Sequence, residues 1–403
     1  MGSSSRIIAP LCLCLVLALL APTWIAAVVH AEPPPELRDD DRDRPDGIHV
    51  LDGSYVINAG RLHLNVTNHG LIGSHYSAFL PYSTAPSAQW PGGTGDEYLF
   101  GAGLWIGAKL GGQISVTTGQ PERELRPGDD ITDTIYESRR KQIMRPEYHA
   151  ERSGHRLPDA TADDDGDGST DEDWLNGRDD DGDGLIDEDY GQIGDQMMTC
   201  TMWDDTRLAR ELYSAHKPLG VRVTQRIAAW SDEAYADIIA LDFEIKNENF
   251  TDLNDMYVGF YVDCDIQNRS EAATQPDDLT GYFDGVVRDD WDLFHRMQVG
   301  WMSDANPVDP LPGVLGVVML DHNTDFSQLS APHITGVRTY QRFTTGATVY
   351  QGGEPISDAD RYAVMSRTRP DRDARPDKPD DYRFLISSGP FPTVLPGRTV
   401  NYR

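Results

Sequence analysis

The chain has 403 residues, with 66 Asp and Glu against 35 Lys and Arg, for a formal net charge of −31. Such a surface repels nucleic acid and anionic lipid and attracts cations and basic partners, which argues against a nucleic-acid-binding role. Its 17 Tyr, 11 Phe and 8 Trp supply apolar surface that a disordered acidic chain lacks, and the length suits two or three domains.

Residues 1–6 are polar and carry Arg6, residues 7–29 are apolar, and Val29-His30-Ala31 closes on a small residue. These are the three parts of a secretory signal peptide over 1–31. The apolar run is long enough for an uncleaved anchor, but Pro10 and Pro22 interrupt it, and cleavage before Glu32 is expected. Neither Cys12 nor Cys14 sits behind a lipoprotein-type small-residue box. No later stretch reaches the roughly 18 consecutive apolar residues of a second span, so the expectation is a secreted, extracellular or cell-surface protein without a membrane span after cleavage. Cys200 and Cys264 remain; they either pair, closing a loop worth about 4 kcal/mol, or stay as two buried free thiols.

Residues 32–48 are proline-rich, charged and without apolar periodicity, which reads as a flexible linker. A first β domain is expected over 49–158, with strands at 62–66, 98–110 and 114–118 between glycine and proline turns.

Residues 159–190 hold two acidic repeats. DDDGDGSTDED at 163–173 and DDDGDGLIDED at 179–189 are offset by sixteen residues and differ at two positions. Calcium takes six to eight oxygen ligands, and a tight turn with alternating carboxylates supplies them. Asp163, Asp165 and Asp167 fit loop positions 1, 3 and 5, Gly168 the bend at 6, Ser169 a carbonyl at 7, and Asp171 position 9. Asp179, Asp181, Asp183, Gly184, Leu185 and Asp187 repeat the set. Trp174 and Tyr190 stand where an EF-hand has its bidentate glutamate, and Asp173 and Asp189, one residue earlier, are placed to close each loop. The plain alternative is a solvated acidic tail. Random acidic tracts do not repeat glycine at the same two places, so calcium is the expected ion, ahead of magnesium because of the ligand number. The segment should be disordered without it and compact with it.

A β-sandwich domain is expected over 191–403. Its strongest strand is 239–246, where Ile239, Leu241, Phe243 and Ile245 alternate with small or charged residues. With 221–230 before it and 256–262 after it, this reads as an antiparallel meander. Further strands are expected at 314–320, 336–343 and 384–388, a short helix at 358–366 and an exposed loop at 369–381. Residues 397–403 begin like another strand, so the domain is expected to be truncated at its C-terminus. The fold class that follows is mainly β: antiparallel β-sandwich domains with an inserted acidic calcium-loop segment.

A second cation site is expected where the strand at 256–262 ends. Asp263 and Asp265 share a face at strand spacing, and Asp277 and Asp278 would fold back to meet them; ordinary acidic loop residues are the alternative. The chain has no H-E-x-x-H, G-x-S-x-G or P-loop. The partial glycine pattern from Gly101 to Gly107 lies in a strand-like aromatic stretch and reads as packing. His63, His69 and His75 lack the company of a zinc pattern and read as structural.

The D-x-D-x-D-G-x-x-D loops resemble those of thrombospondin type 3 repeats, dockerins and EF-hands. LHLNVTNHGLIG at 62–73, EYLFGAGLWIGA at 97–108, YVGFYVDCD at 257–265 with Asp277 and Asp278, and SSGPF at 387–391 together resemble large secreted bacterial proteins rich in β-structure. Those often end in a type IX sorting domain or a flagellar-hook-cap-like immunoglobulin domain. The resemblance implies secretion, a β-sandwich scaffold and a surface or extracellular destination. The function expected is therefore a calcium-binding structural or adhesive module with a cell-surface, glycan or protein partner. The rival is a secreted, calcium-stabilised hydrolase on polysaccharide or peptide, since a glycosidase needs only two placed carboxylates.

Overall fold

Apolar alternation in the chain carries through to strand pairing. The computed structural model describes residues 49–51, 53–75, 84–128, 130–139, 175–178, 193–269, 277–288, 294–305, 311–320, 336–367 and 378–403. The signal-peptide and linker expectations for 1–48, and residues 369–377 of the loop expected at 369–381, lie outside them. Ahead of the acidic segment come β1 (His49–Leu51), β2 (Ser54–Ile57), β3 (Leu64–Thr67), β4 (Ile72–Gly73), β5 (Asp96–Glu97), β6 (Gly101–Leu110), β7 (Gln113–Thr118) and β8 (Ile135–Arg139). After it come β9 (Gln196–Trp203), β10 (Val221–Ala229), β11 (Ile239–Asn247), β12 (Leu253–Asp263), β13 (Gln267–Asn268), β14 (Asp278–Arg288), β15 (Phe294–Asp304), β16 (Val314–Val318), β17 (Thr339–Thr344), β18 (Tyr382–Val394) and β19 (Thr399–Tyr402). Two α-helices, α1 (Arg207–Leu212) and α2 (Asp358–Met365), complete the regular elements used below.

The architecture is mainly β, as expected, and its strand pairs are antiparallel. One sheet runs β1-β8-β9-β10-β11-β19; a larger one runs β17-β18-β12-β6-β4-β3-β2, with β7 also on β6. They face each other across a shared core in which Val221, Val223, Ile227, Phe243 and Ile245 meet Leu104, Ile106, Val258, Phe260 and Phe384. On β10 the inward set Val221, Val223, Gln225 and Ile227 alternates with half-exposed neighbours, the pattern of a sheet wet on one side. β6 and β12 are buried along nearly their whole length because α2 covers the other face of the larger sheet. There Trp105, Tyr257, Tyr261, Phe343 and Leu385 pack against Tyr362, Val364 and Met365. Ser357 caps this helix by accepting the Asp360 N–H.

Two expectations are corrected. The meander of 221–230, 239–246 and 256–262 ends after its second strand. β10 pairs with β11, but β12 pairs with β6 and β18 in the opposite sheet. The chain changes sheets after Asn247, whose side-chain amide donates to the carbonyls of Thr251 and Val394 and so pins the corner to β18. A strand apolar on both faces needs a central position with cover on both sides, which β12 finds only in the larger sheet. The second correction concerns domains. Each of the two sheets joins strands from 49–139 to strands from 193–403, at β8–β9 in one and at β6–β12 in the other, so the two β regions share one core.

The acidic segment joins β8 to β9, which are adjacent and antiparallel, with Tyr136 opposite Thr199. It is thus an insertion in a single strand-to-strand connection. Between the two repeats, Leu175 is buried and Arg178 reaches Asp130 at 2.6 Å. Cys200 and Cys264 are both free and buried. Among the described residues, no helix is long and apolar enough to cross a membrane.

Candidate metal centre

The tandem repeats at 163–173 and 179–189 lie outside the described residues. The second expected site lies within them, and its members are positioned by three chain segments that end at one place. β12 stops at Asp263, with Asp265 just beyond it, while Asp278 opens β14 and Asp277 immediately precedes it. In the β14–β15 register Asp278 stands opposite Asp304, the last residue of β15.

Carboxylate oxygens of Asp277, Asp278 and Asp304 lie within 4.8 Å of one another. Asp278 is only 4% exposed, and its Oδ1 has no hydrogen-bond partner. Its carboxylate accepts the Ile266 N–H, and its main chain is bridged to Asp380 in both directions at 3.2 and 3.0 Å. Asp304 Oδ2 accepts the Leu311 N–H at 2.7 Å. Burial first, and then the charges of Asp265, Asp277 and Asp304, push the Asp278 carboxyl up to about 9. Asp265 is raised to about 6 by burial, with Asp381 and Asp277 adding repulsion and Arg383 opposing it.

Asp263 belongs to a neighbouring arrangement. Arg383 Nε approaches it at 3.2 Å and Nη1 approaches Asp381 at 3.0 Å. Burial still raises Asp263 to about 7, with Arg383 pulling the other way. Of the four residues named from the sequence, Asp277 and Asp278 converge, Asp265 stands within range of their charge, and Asp263 is drawn to the guanidinium. Asp304 was not foreseen. It follows no motif, and only the strand register brings it in.

Chemically, the triad offers hard, negatively charged oxygen donors with no cationic side chain among its three members. That donor set suits a divalent cation such as calcium, and in an apolar setting like charges so close cannot all ionise without one. The histidines have a different character. His75 Nε2 lies 3.0 Å from Gln120 Oε1 and Nδ1 lies 3.1 Å from Arg123 Nη2, while burial lowers the pKa of both His69 and His75. No protein-family model matches the chain, and no curated protein matches it.

Proposed function

We propose that this chain is an exported calcium-binding β-sandwich protein with a structural or adhesive role at the cell surface. The observation that supports it most directly is Asp278, a buried carboxylate with an unpartnered oxygen, set against two further carboxylates at the root of a hairpin. A divalent cation there neutralises the cluster and ties the end of β15 to the start of β14. The tandem loops at 163–173 and 179–189 add calcium capacity between β8 and β9, and the leader at 1–31 supplies export. This reading also places the chain beside the secreted β-rich proteins that its segments resemble.

Calorimetric titration of the chain from Glu32 onward, with calcium at pH 7.5, tests it. The expected isotherm holds more than one class of site, and Asp278→Asn with Asp304→Asn removes one class and leaves the other. If the unaltered protein takes up no calcium at millimolar concentration, the reading is wrong.

A further inference from the structure

Between the two sheets the side chains leave space. A cavity of about 650 Å³ lies there. Leu64, Val262 and Ile386 wall it on the larger sheet, Leu241 on β11, and Leu315 and Val317 on β16. The volume is in the range of small-molecule sites. The pocket is not sealed, and lining residues such as Val314 and Leu320 reach solvent, so a ligand can enter it from outside. Water is a poor filler, since each buried molecule needs two to four polar partners.

The few polar groups at its edge are already engaged. Asp237 accepts from Arg61 Nε at 2.8 Å and from Trp90 Nε1 at 2.7 Å. Arg403 Nε donates to Asp242 at 3.0 Å, and the Tyr98 hydroxyl accepts the Gly313 N–H at 3.0 Å. The lining therefore selects an uncharged, apolar occupant. Three lining residues are also large apolar side chains open to solvent: Ile238 at 50%, Val314 at 62% and Leu320 at 68% exposure. They extend the apolar lining outward as a lip, which suits a ligand that is apolar inside and polar only where it emerges.

We propose that this cavity takes the hydrocarbon tail of a free, uncharged single-chain amphiphile, of the class of a long-chain alcohol, with its hydroxyl left at the Ile238, Val314 and Leu320 lip, because the acidic surface disfavours an anionic headgroup. The site shares no residue with the carboxylate triad and does not rest on the calcium reading.

The test uses the chain from Glu32 onward with the uncharged dye N-phenyl-1-naphthylamine as fluorescent probe, in calcium and in chelator. Saturable, blue-shifted emission that dodecan-1-ol displaces is expected. Leu241→Trp, which fills the space, should weaken uptake by about tenfold or more. Val314→Glu at the exposed lip should weaken it too, and its solvent position keeps it informative should the first variant fail to fold. Absence of saturable emission overturns the proposal. So does uptake unchanged in Val314→Glu and in a folded Leu241→Trp, or adsorption to phosphatidylcholine vesicles without probe displacement. None of these outcomes alters the calorimetric test for calcium.

Discussion

A single side chain in a closed setting can set a pH dependence for the whole fold, and His216 is placed to do so. Its ring is buried, with Nδ1 3.4 Å from Glu124 Oε1 and 3.8 Å from Asp358 Oδ2, and Nε2 3.3 Å from Thr117 Oγ1. These are charge contacts more than aligned hydrogen bonds. Burial is the largest influence and lowers the pKa, but Asp358, Glu124 and Asp204 together outweigh it and the net direction is upward. A histidine raised on folding stabilises the fold fully below its unfolded pKa, about 6.5, and loses that contribution as pH climbs through the folded value. Glu124 acts in the same sense, because burial above all raises it to about 7 from an unfolded value near ~4.3. At Asp358 burial pushes upward, yet His216 and other partners leave it lowered, so its own stabilisation fades only in stronger acid. Urea unfolding should therefore show stability falling from pH 6 to pH 9. His216→Gln should cost about 2 kcal/mol at pH 6 and flatten the decline; parallel pH profiles for the two proteins would remove His216 as the cause. Nothing in the sequence marks this residue, since its three acidic neighbours come from distant segments.

Elements were legible where one face is wet and the other dry. The strands expected at 221–230 and 239–246 and the helix expected at 358–366 match β10, β11 and α2 within a residue or two. The β14–β15 hairpin escaped notice because its outer half is solvated on both faces. Phe283 is 46% exposed and Val286 64%, and glycine and charged residues break any period of two. Yet this pair carries two-thirds of the triad, and its root is packed through a glycine. Gly281 lies opposite Trp301, and a Cβ at 281 would fall 2.4 Å from Trp301 Cζ2. Gly281→Ala must displace the indole or the strand, at about 1–3 kcal/mol. Since Asp278 and Asp304 sit three residues away on each strand, calcium affinity at the triad should fall by about tenfold, with tryptophan emission shifted to the red. Unaltered emission and affinity would mean that the hairpin root tolerates the methyl group and does not position the carboxylates.

At the scale of the whole molecule, sequence order misleads because neighbouring strands in space come from both sides of the acidic insertion. β9 needs β8, and β12 needs β6; composition shows the boundary of the insertion but not that strands pair across it. The same topology isolates the insertion mechanically. Its ends are held together by the β8–β9 ladder, with Arg139 opposite Gln196, so its length affects folding only through loop closure. Shortening 140–192 to a few Gly and Ser residues relieves about 2 kcal/mol of closure entropy, and loses the buried contact of Leu175 and the Arg178–Asp130 pair in return. The two effects oppose each other, and the shortened protein should fold with a thermal midpoint within a few degrees of the parent. It should keep the calcium class assigned to Asp277, Asp278 and Asp304 and lose the rest. The fragment 193–403, by contrast, should not fold, since it strips β9 and β12 of the partners that bury them. A shortened protein that fails to fold, or a fragment that unfolds cooperatively on its own, would show that the insertion is a true boundary between two bodies and not a long loop on one.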